Sequence, residues 1–410
     1  MNTTKSELEA LLAPYGQTQL LRFWDTLDDA GREKLAGQIK NIDFSLLKLL
    51  EKENHAVEKG ELAPLGCMTL AEIAKQRDVC EEKGIEMIRQ GKAAAVLLAG
   101  GQGTRLGSDG PKGTYNIGLT RDVFIFQRLI ENLMDVTTKA GAWIPLLIMT
   151  SDKNHEETVR FLTEKKFFGY NPDYVIFFMQ SMAPSVDYNG KILLEAPDSI
   201  SLSPNGNGGW FASIQRAELL PKLKEMGVEY FNVFAVDNVL QRICDPCFLG
   251  ATELGGYDGA AKVVRKNAPD ERIGVLCLED GMPSIVEYYE MTEEMTTLRD
   301  KDGELAYAFG VILNYLFRVD HLEEISSSKL PTHIVEKKIP YVDNDGTLIK
   351  PDSPNGYKFE TLILDMVHLM NSCLSYEIVR EHEFAPIKNK TGIDSVESAR
   401  ELLKGEGYTL

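Results

Sequence analysis

The sequence predicts an α/β protein whose central part is a doubly wound, mostly parallel sheet. Three observations predict it. Short continuous apolar runs recur after residue 91: AAAVLL at 93–98, IPLLIMT at 144–150, YVIFFM at 174–179 and YFNVFAV at 230–236. Longer amphipathic patterns separate them, FIFQRLIENLMDVTTKA at 124–140, NHEETVRFLTEKK at 154–166 and WFASIQRAELLPKLKEM at 210–226. The first run ends in a glycine-rich loop, GGQGTRLGSDGPKG at 100–113. Short runs alternating with helical patterns give βαβ units and a parallel sheet. Strands covered on both faces need no polar alternation, and these runs show none.

Up to residue 91 the pattern is helical: LLRFWDTL at 20–27, DFSLLKLLEKE at 43–53 and EKGIEMIRQG at 82–91 space apolar residues by three and four. After Asp258, GAAKVVRK, RIGVLCLED and MPSIVEYYE read as strands joined by short turns, an antiparallel addition to the sheet. The stretch 337–360, KKIPYVDNDGTLIKPDSPNGYKFE, is dense in Pro, Gly, Asn and Asp and reads as loop. FETLILDMVHLM at 359–370 reads as a helix with His368 in the core, and SVESARELLKG at 395–405 as a last helix behind a cap-like Asp-Ser. The expected organisation is a helical segment at 1–91, a central domain at 92–325 and a smaller C-terminal region at 326–410.

A chain of 410 residues with 43% hydrophobic content has material for a large core and more than one domain. A net charge of −18 argues against a nucleic-acid face, so cations serving an anionic ligand must be gathered locally. Six scattered cysteines suit a reducing compartment. Cys244-Asp-Pro-Cys247 has metal or redox spacing but no second pair, and reads as thiols around a proline turn. The N-terminus lacks the pattern of a signal peptide and no run has the length of a membrane span, so a cytoplasmic protein is expected.

In an open α/β sheet, ligands bind beyond the carboxyl ends of the strands, where the 100–113 loop lies. Glycines let backbone N–H groups approach an anion, and Arg105 and Lys112 add positive charge. The loop reads as a phosphate cradle. It is not a dinucleotide fingerprint, because Leu106 stands where the third glycine of GxGxxG belongs. Nor is it a P-loop, since the lysine follows proline and no GK[ST] occurs. Asp237 ends an apolar run on the same side; a carboxylate among phosphates calls for a metal, and Mg²⁺ favours one or two carboxylates plus phosphate oxygens. Gln180, ending VIFFMQ, offers a donor and an acceptor to a base edge.

LLAGGQGTRLG…PKG resembles the signature of nucleotidyltransferases that make nucleotide-sugars. YNIGL, VIFFMQ, SPNGNGGW, VFAVDN, AAKVV, IVEYYE, 337–360 and EFAPIKN extend the resemblance to the UDP-sugar pyrophosphorylases, in particular the eukaryotic-type UDP-N-acetylglucosamine branch, from about Ala93 to Arg400. The resemblance implies transfer of uridylyl from UTP to a sugar 1-phosphate with Mg²⁺ as cofactor. It implies phosphate contacts from Arg105, Lys112 and Lys388, and uridine contacts from Leu98, Ala99, Gly100, Gly101, Gln180 and Gly206. Asn207, Gly274, Glu287 and Tyr288 are implied at the sugar, and Asp237 at the substrate phosphates through the metal. The chain carries no GxSxG, HExxH or paired catalytic histidines, which suits a reaction run by positioning and electrostatics.

One motif departs. The branch reads Asn-Ala-Gly-Asn where this chain reads Ala308-Phe309-Gly310-Val311, followed by Asn314-Tyr315-Leu316-Phe317. N-acetylglucosamine 1-phosphate is the leading sugar expectation. Glucose 1-phosphate or a broad range is the alternative, and a non-catalytic nucleotide-sugar sensor is a further one.

Overall fold

The computed structural model describes residues 3–51, 59–328 and 330–410. The chain divides into two compact units, and both are discontinuous in sequence. The larger comprises Lys59–Gln180, Trp210–Lys329 and Ile363–Leu410; the smaller comprises Met1–Glu58, Ser181–Gly209 and Leu330–Leu362.

The larger unit is built on a ten-stranded mixed sheet. Its strands are β1 (Leu62–Pro64), β2 (Ala93–Leu98), β3 (Leu146–Thr150), β4 (Val175–Met179), β5 (Tyr230–Ala235), β6 (Gly259–Arg265), β7 (Val275–Glu279), β8 (Met282–Val286), β9 (Phe309–Arg318) and β10 (Cys373–Glu377). The order is β1-β7-β9-β5-β2-β3-β4, with β8 beside β7, β6 beside β9 and β10 beside β6. The block β5-β2-β3-β4 is parallel throughout. β9 runs antiparallel to β5 and β6, and β7–β8 is an antiparallel hairpin. The antiparallel addition expected after Asp258 is therefore present, while β10 pairs parallel with β6.

Register brings the carboxyl ends of the parallel block level. Leu98 lies opposite Ala235 on one side and Met149 on the other, and Thr150 lies opposite Met179. Every residue of β2 and β3 is buried, as expected of strands covered on both faces. Helix Ile125–Ala140 connects β2 to β3 and places Phe126, Leu129, Ile130, Leu133, Val136 and Ala140 in the core. Helix Leu70–Arg89 starts in a capping box between Thr69 and Glu72 and packs Ile73, Cys80, Met87 and Ile88 into the same core. Helix Val396–Gly405 is capped by the Ser395 side chain, the start expected from sequence.

The smaller unit has its own core of Leu8, Leu12, Leu20, Trp24, Leu35 and Ile39 with Val186, Ile192, Ile200, Val342 and Phe359. Its three-stranded sheet runs His333–Lys337, Gly356–Glu360, Val186–Asp187.

The consecutive pieces 1–91, 92–325 and 326–410 do not correspond to these units. Helix Leu70–Arg89 shares the core of the main sheet, and 330–362 pairs with strand Val186–Asp187. The stretch 337–360 is not all loop, because Tyr341–Val342, Leu348–Ile349 and Gly356–Glu360 are strands. The helix expected over 359–370 begins at Ile363, since Phe359 and Glu360 pair with Ile334 and His333. His368 is not in the core: its side chain is 42% exposed and its Nδ1 stands 3.8 Å from Glu279. The last residues of DFSLLKLLEKE, 52–53, lie outside the described residues.

Candidate functional site

The 99–113 loop leaves the carboxyl end of β2 and folds back on itself. The Gly103 N–H donates to the Gly110 carbonyl at 2.9 Å, and the Lys112 N–H to the Gly101 carbonyl at 3.2 Å. Asn154, 1% exposed, fastens the loop from below. Its Nδ2 donates to the carbonyls of Ala99 (3.0 Å) and Gly101 (3.3 Å), while its Oδ1 accepts from the Ser151 N–H at 2.8 Å. Two loop carbonyls, whose lone pairs would repel a phosphate, are thereby occupied. Leu98 and Ala99 are buried in the strand end, and Gly101 is exposed.

Gln180 follows β4, and its N–H continues the ladder to the Thr150 carbonyl at 2.8 Å. Its side chain lies on Gly100: a Cβ there would come within 2.0 Å of Gln180 Nε2. Any side chain at position 100 would push the amide away, which explains the glycine. Leu98, Ala99, Gly100, Gly101 and Gln180 thus meet at the carboxyl end of the parallel block, across the end of β3.

Asp237 lies just beyond β5. Its Oδ2 stands 3.8 Å from Lys112 Nζ, and both side chains are largely buried. Burial pushes the Lys112 pKa down, Asp237 opposes this, and Lys388 and Arg105 push it down further; the net shift is downward. Lys388 and Arg105 therefore both bear on Lys112, which Asp237 partly neutralises. On a chain of net charge −18, this is a local surplus of positive charge awaiting anions.

Lys388 reaches this place through the backbone. The Ile387 N–H donates to the Asp237 carbonyl at 2.9 Å. Asn238, 1% exposed, accepts from the Ala385 N–H at 2.9 Å and donates to the Glu383 carbonyl at 2.8 Å. Beneath the same loop lies Lys262, fully buried, with Nζ 3.1 Å from Asp245 and also paired to Glu383. Burial disfavours its charge, but Glu383 and Asp245 outweigh that and hold its pKa above the ordinary value. Cys244 and Cys247, flanking Asp245, are buried free thiols, as the proline-turn reading expected.

Glu287 follows β8. Burial and then Glu290 raise its pKa, while Lys388 and Lys59 draw it down; the net shift is upward. Gly274 lies beside it, a Cβ there being 3.4 Å from Glu287 Oε1. The Val311 N–H donates to the Gly274 carbonyl at 2.9 Å, so the departing motif borders this pair. Tyr288 is exposed and packs edge-on against Tyr289, ring centres 5.2 Å apart.

Gly206 and Asn207 belong to the smaller unit. Gly206 has φ +74°, and a Cβ there would stand 2.1 Å from the Thr361 carbonyl. Its backbone conformation and the close approach of 361 both demand glycine.

Arg105, Lys112, Asp237 and Lys388 come together as expected, and Gly274 meets Glu287. Asn154, Asn238 and Lys262 were missed. Asn154 had a signal in its place before a helical pattern, but its contacts to the glycine loop exist only in the folded chain.

A glycine loop and gathered cations at the carboxyl ends of parallel strands define a nucleotide-binding α/β protein of the nucleotidyltransferase class. Residues 44–404 match the family described as UTP–glucose-1-phosphate uridylyltransferase, and the chain belongs to that family. It is 35% identical to human UDP-N-acetylhexosamine pyrophosphorylase-like protein 1, covering 99% of this chain and 85% of that one. It is 34% identical to the UDP-N-acetylglucosamine pyrophosphorylase of Saccharomyces cerevisiae, over 96% of this chain and 88% of that one. Among solved structures, a putative UDP-N-acetylglucosamine pyrophosphorylase from Entamoeba histolytica aligns with TM-score 0.77 and 32% identity, covering 83% and 87% of the two chains. The Trypanosoma brucei UDP-N-acetylglucosamine pyrophosphorylase, solved with an inhibitor, aligns with TM-score 0.82 and 26% identity over 97% and 84%.

Proposed function

We propose that the protein is a uridylyltransferase that converts UTP and N-acetylglucosamine 1-phosphate into UDP-N-acetylglucosamine and pyrophosphate. The observation that carries it is the gathering of Arg105, Lys388 and Asp237 about Lys112, with Lys388 also bearing on Glu287. A nucleotide triphosphate and a sugar phosphate are polyanions that must meet, and one cation shared by both subsites suits that meeting.

A phosphate oxygen of the sugar 1-phosphate attacks the α-phosphorus of UTP in line. The bond to the bridging oxygen breaks, and pyrophosphate leaves with its electron pair. The attacking oxygen is already an anion, so no general base is required. Lys112 neutralises the nucleotide phosphates, Arg105 the departing pyrophosphate, and Lys388 the charge around the transferring group. Gln180 reads the uracil edge beside the Leu98–Gly101 backbone. Glu287 accepts hydrogen bonds from sugar hydroxyls, with Gly274 and Tyr288 lining the sugar.

Among the described residues no group of three or more His, Cys, Asp or Glu side chains could hold a metal by itself. A single carboxylate at the phosphate site still fits Mg²⁺, which takes most of its ligands from phosphate and water. Asp237 would hold it, and it would supply charge neutralisation to the substrate phosphates. Among the described residues no helix is long and apolar enough to cross a membrane. A cytoplasmic enzyme fits a supply of UTP.

A second reading, with glucose 1-phosphate or several sugars accepted, is favoured by Val311 beside Gly274, at a position where the resemblance to the branch implies asparagine. Pyrophosphate release from UTP with a panel of sugar 1-phosphates separates the readings. Highest kcat/KM with N-acetylglucosamine 1-phosphate is expected. Activity confined to glucose 1-phosphate overturns the sugar assignment, and no release with any sugar, despite UTP binding, leaves a sensor.

A further inference from the structure

We propose that Asp394 is the resting counter-ion of Lys388, holding its ammonium in the free enzyme and surrendering it to phosphate when substrate arrives. The proposal rests on Lys388 being a phosphate ligand. Asp394 Oδ2 stands 3.1 Å from Lys388 Nζ. The same residue holds the Lys388 backbone, because its carbonyl accepts from the N–H of Lys388 at 2.6 Å and of Asn389 at 3.1 Å. The intervening residues form a closed excursion. Ser395 Oγ donates to the Gly392 carbonyl at 2.6 Å, and the Val396 N–H returns to the Asn389 carbonyl at 3.0 Å. The excursion hangs from the Asp237 loop through the Ile387 N–H, so Asp394 is built into the frame that presents Lys388.

Strength and place make this pair a parking contact and not a permanent bridge. Lys388 and Asp394 side chains are 48% and 33% exposed. Ion pairs so open to water contribute little, whereas an ammonium between phosphate oxygens makes stronger charge-assisted bonds. Lys388 already bears on Lys112 and Glu287 from its parked position, so it rests close to the groups that would hold phosphate and sugar. While parked, its charge is partly cancelled, which relieves repulsion among the three cations.

Asp394 competes with phosphate for one ammonium, so removing its charge should tighten phosphate binding. The backbone permits a clean test. Asp394 has φ +53°, a left-handed conformation that Asn tolerates as readily as Asp. Asp394→Asn therefore keeps the loop and removes only the charge. Inorganic pyrophosphate is the probe, titrated calorimetrically into wild type, Asp394→Asn, Lys388→Met and the double variant, with thermal unfolding of each. The expected result is pyrophosphate bound about two- to fivefold tighter by Asp394→Asn, the range an exposed pair can supply. In the Lys388→Met background that gain should vanish, with melting midpoints unchanged. Unchanged or weaker binding by Asp394→Asn overturns the proposal, as does tightening that survives without Lys388. If Lys388→Met alone leaves pyrophosphate binding intact, the phosphate role of Lys388 falls, and the counter-ion proposal with it.

Discussion

In the sugar-binding role proposed for it, Glu287 carries a pH response that can be tested. Burial and Glu290 raise its pKa, and Lys388 and Lys59 only partly offset this. The folded protein therefore binds a proton at Glu287 at a pH where an ordinary glutamate is ionised. Its contribution to stability is fully present below the unfolded value and is lost as pH rises through the folded one. Function runs the other way, since a protonated carboxyl loses acceptor strength toward sugar hydroxyls. The KM for sugar 1-phosphate should thus climb on acidification, starting above the usual glutamate range, with the KM for UTP much less affected. Glu287→Gln should raise the sugar KM at neutral pH and flatten its acid limb; an acid limb that persists in Glu287→Gln would assign it to another group. The proposed mechanism sets Lys112 and Asp237 against the reacting phosphates, so Lys112→Ala and Asp237→Ala should each lower kcat by about 10²–10³, the effect of one fixed charge. Turnover near wild type in a folded variant would remove that residue from the mechanism. Much of this was legible residue by residue. Glycines, an arginine and a lysine within fourteen positions announce a phosphate cradle, because the chemistry is contiguous. Lys388 is separated from Lys112 by most of the chain, and only a motif resemblance pointed to it. Asp394 was not legible, since its tie to Lys388 depends on a left-handed backbone angle that sequence does not display.

At the scale of elements, helix Ile125–Ala140 sets the position of both halves of the cation site. Its Phe126 ring lies against Gly113, where an added Cβ would fall 2.3 Å from the ring. Its Asn132 donates to the carbonyls of Val239 and Gln241, both at 3.1 Å, on the loop that carries Asp237. Lys112 precedes Gly113, so a methyl there must displace either the ring or the lysine. Gly113→Ala should cost about 1–3 kcal/mol, as overpacking does in a close-packed interior. It should also slow turnover at saturating UTP. Adding Phe126→Leu makes room, and the double variant should recover part of both losses. Purely additive stabilities would mean that the two residues do not share the strain. The helix itself was easy to foresee from its apolar spacing, but its double attachment was not. Short strands inside 337–360 escaped notice for a different reason. Strands of two residues flanked by Pro, Gly and Asp carry no periodicity, and they are defined by pairing partners elsewhere in the chain.

The whole molecule is acidic, yet the site it builds is a small excess of positive charge at the end of a parallel block. That arrangement neutralises anions without offering a nucleophile. The sheet supplies fixed positions, the glycine loop supplies close backbone approach, and the segment around Lys388 brings a third cation from far along the chain. Cys244 and Cys247 are buried free thiols. Burial has pushed the Cys67 thiol up to about 12, far from the thiolate character a nucleophile needs. Lys112 has its pKa lowered but keeps Asp237 beside it, which suits charge neutralisation better than attack. Transfer should therefore pass directly from UTP to the sugar phosphate in one displacement. With UTP carrying sulfur on a chiral α-phosphorus, the UDP-sugar should show inverted configuration, because one in-line attack turns the centre over once. A covalent uridylyl-enzyme would require two attacks and give retention. It would also exchange labelled pyrophosphate into UTP with no sugar phosphate present. Inversion together with sugar-dependent exchange is the expected outcome, and retention would demand a covalent nucleophile outside the roles assigned to Arg105, Lys112, Lys388 and Asp237.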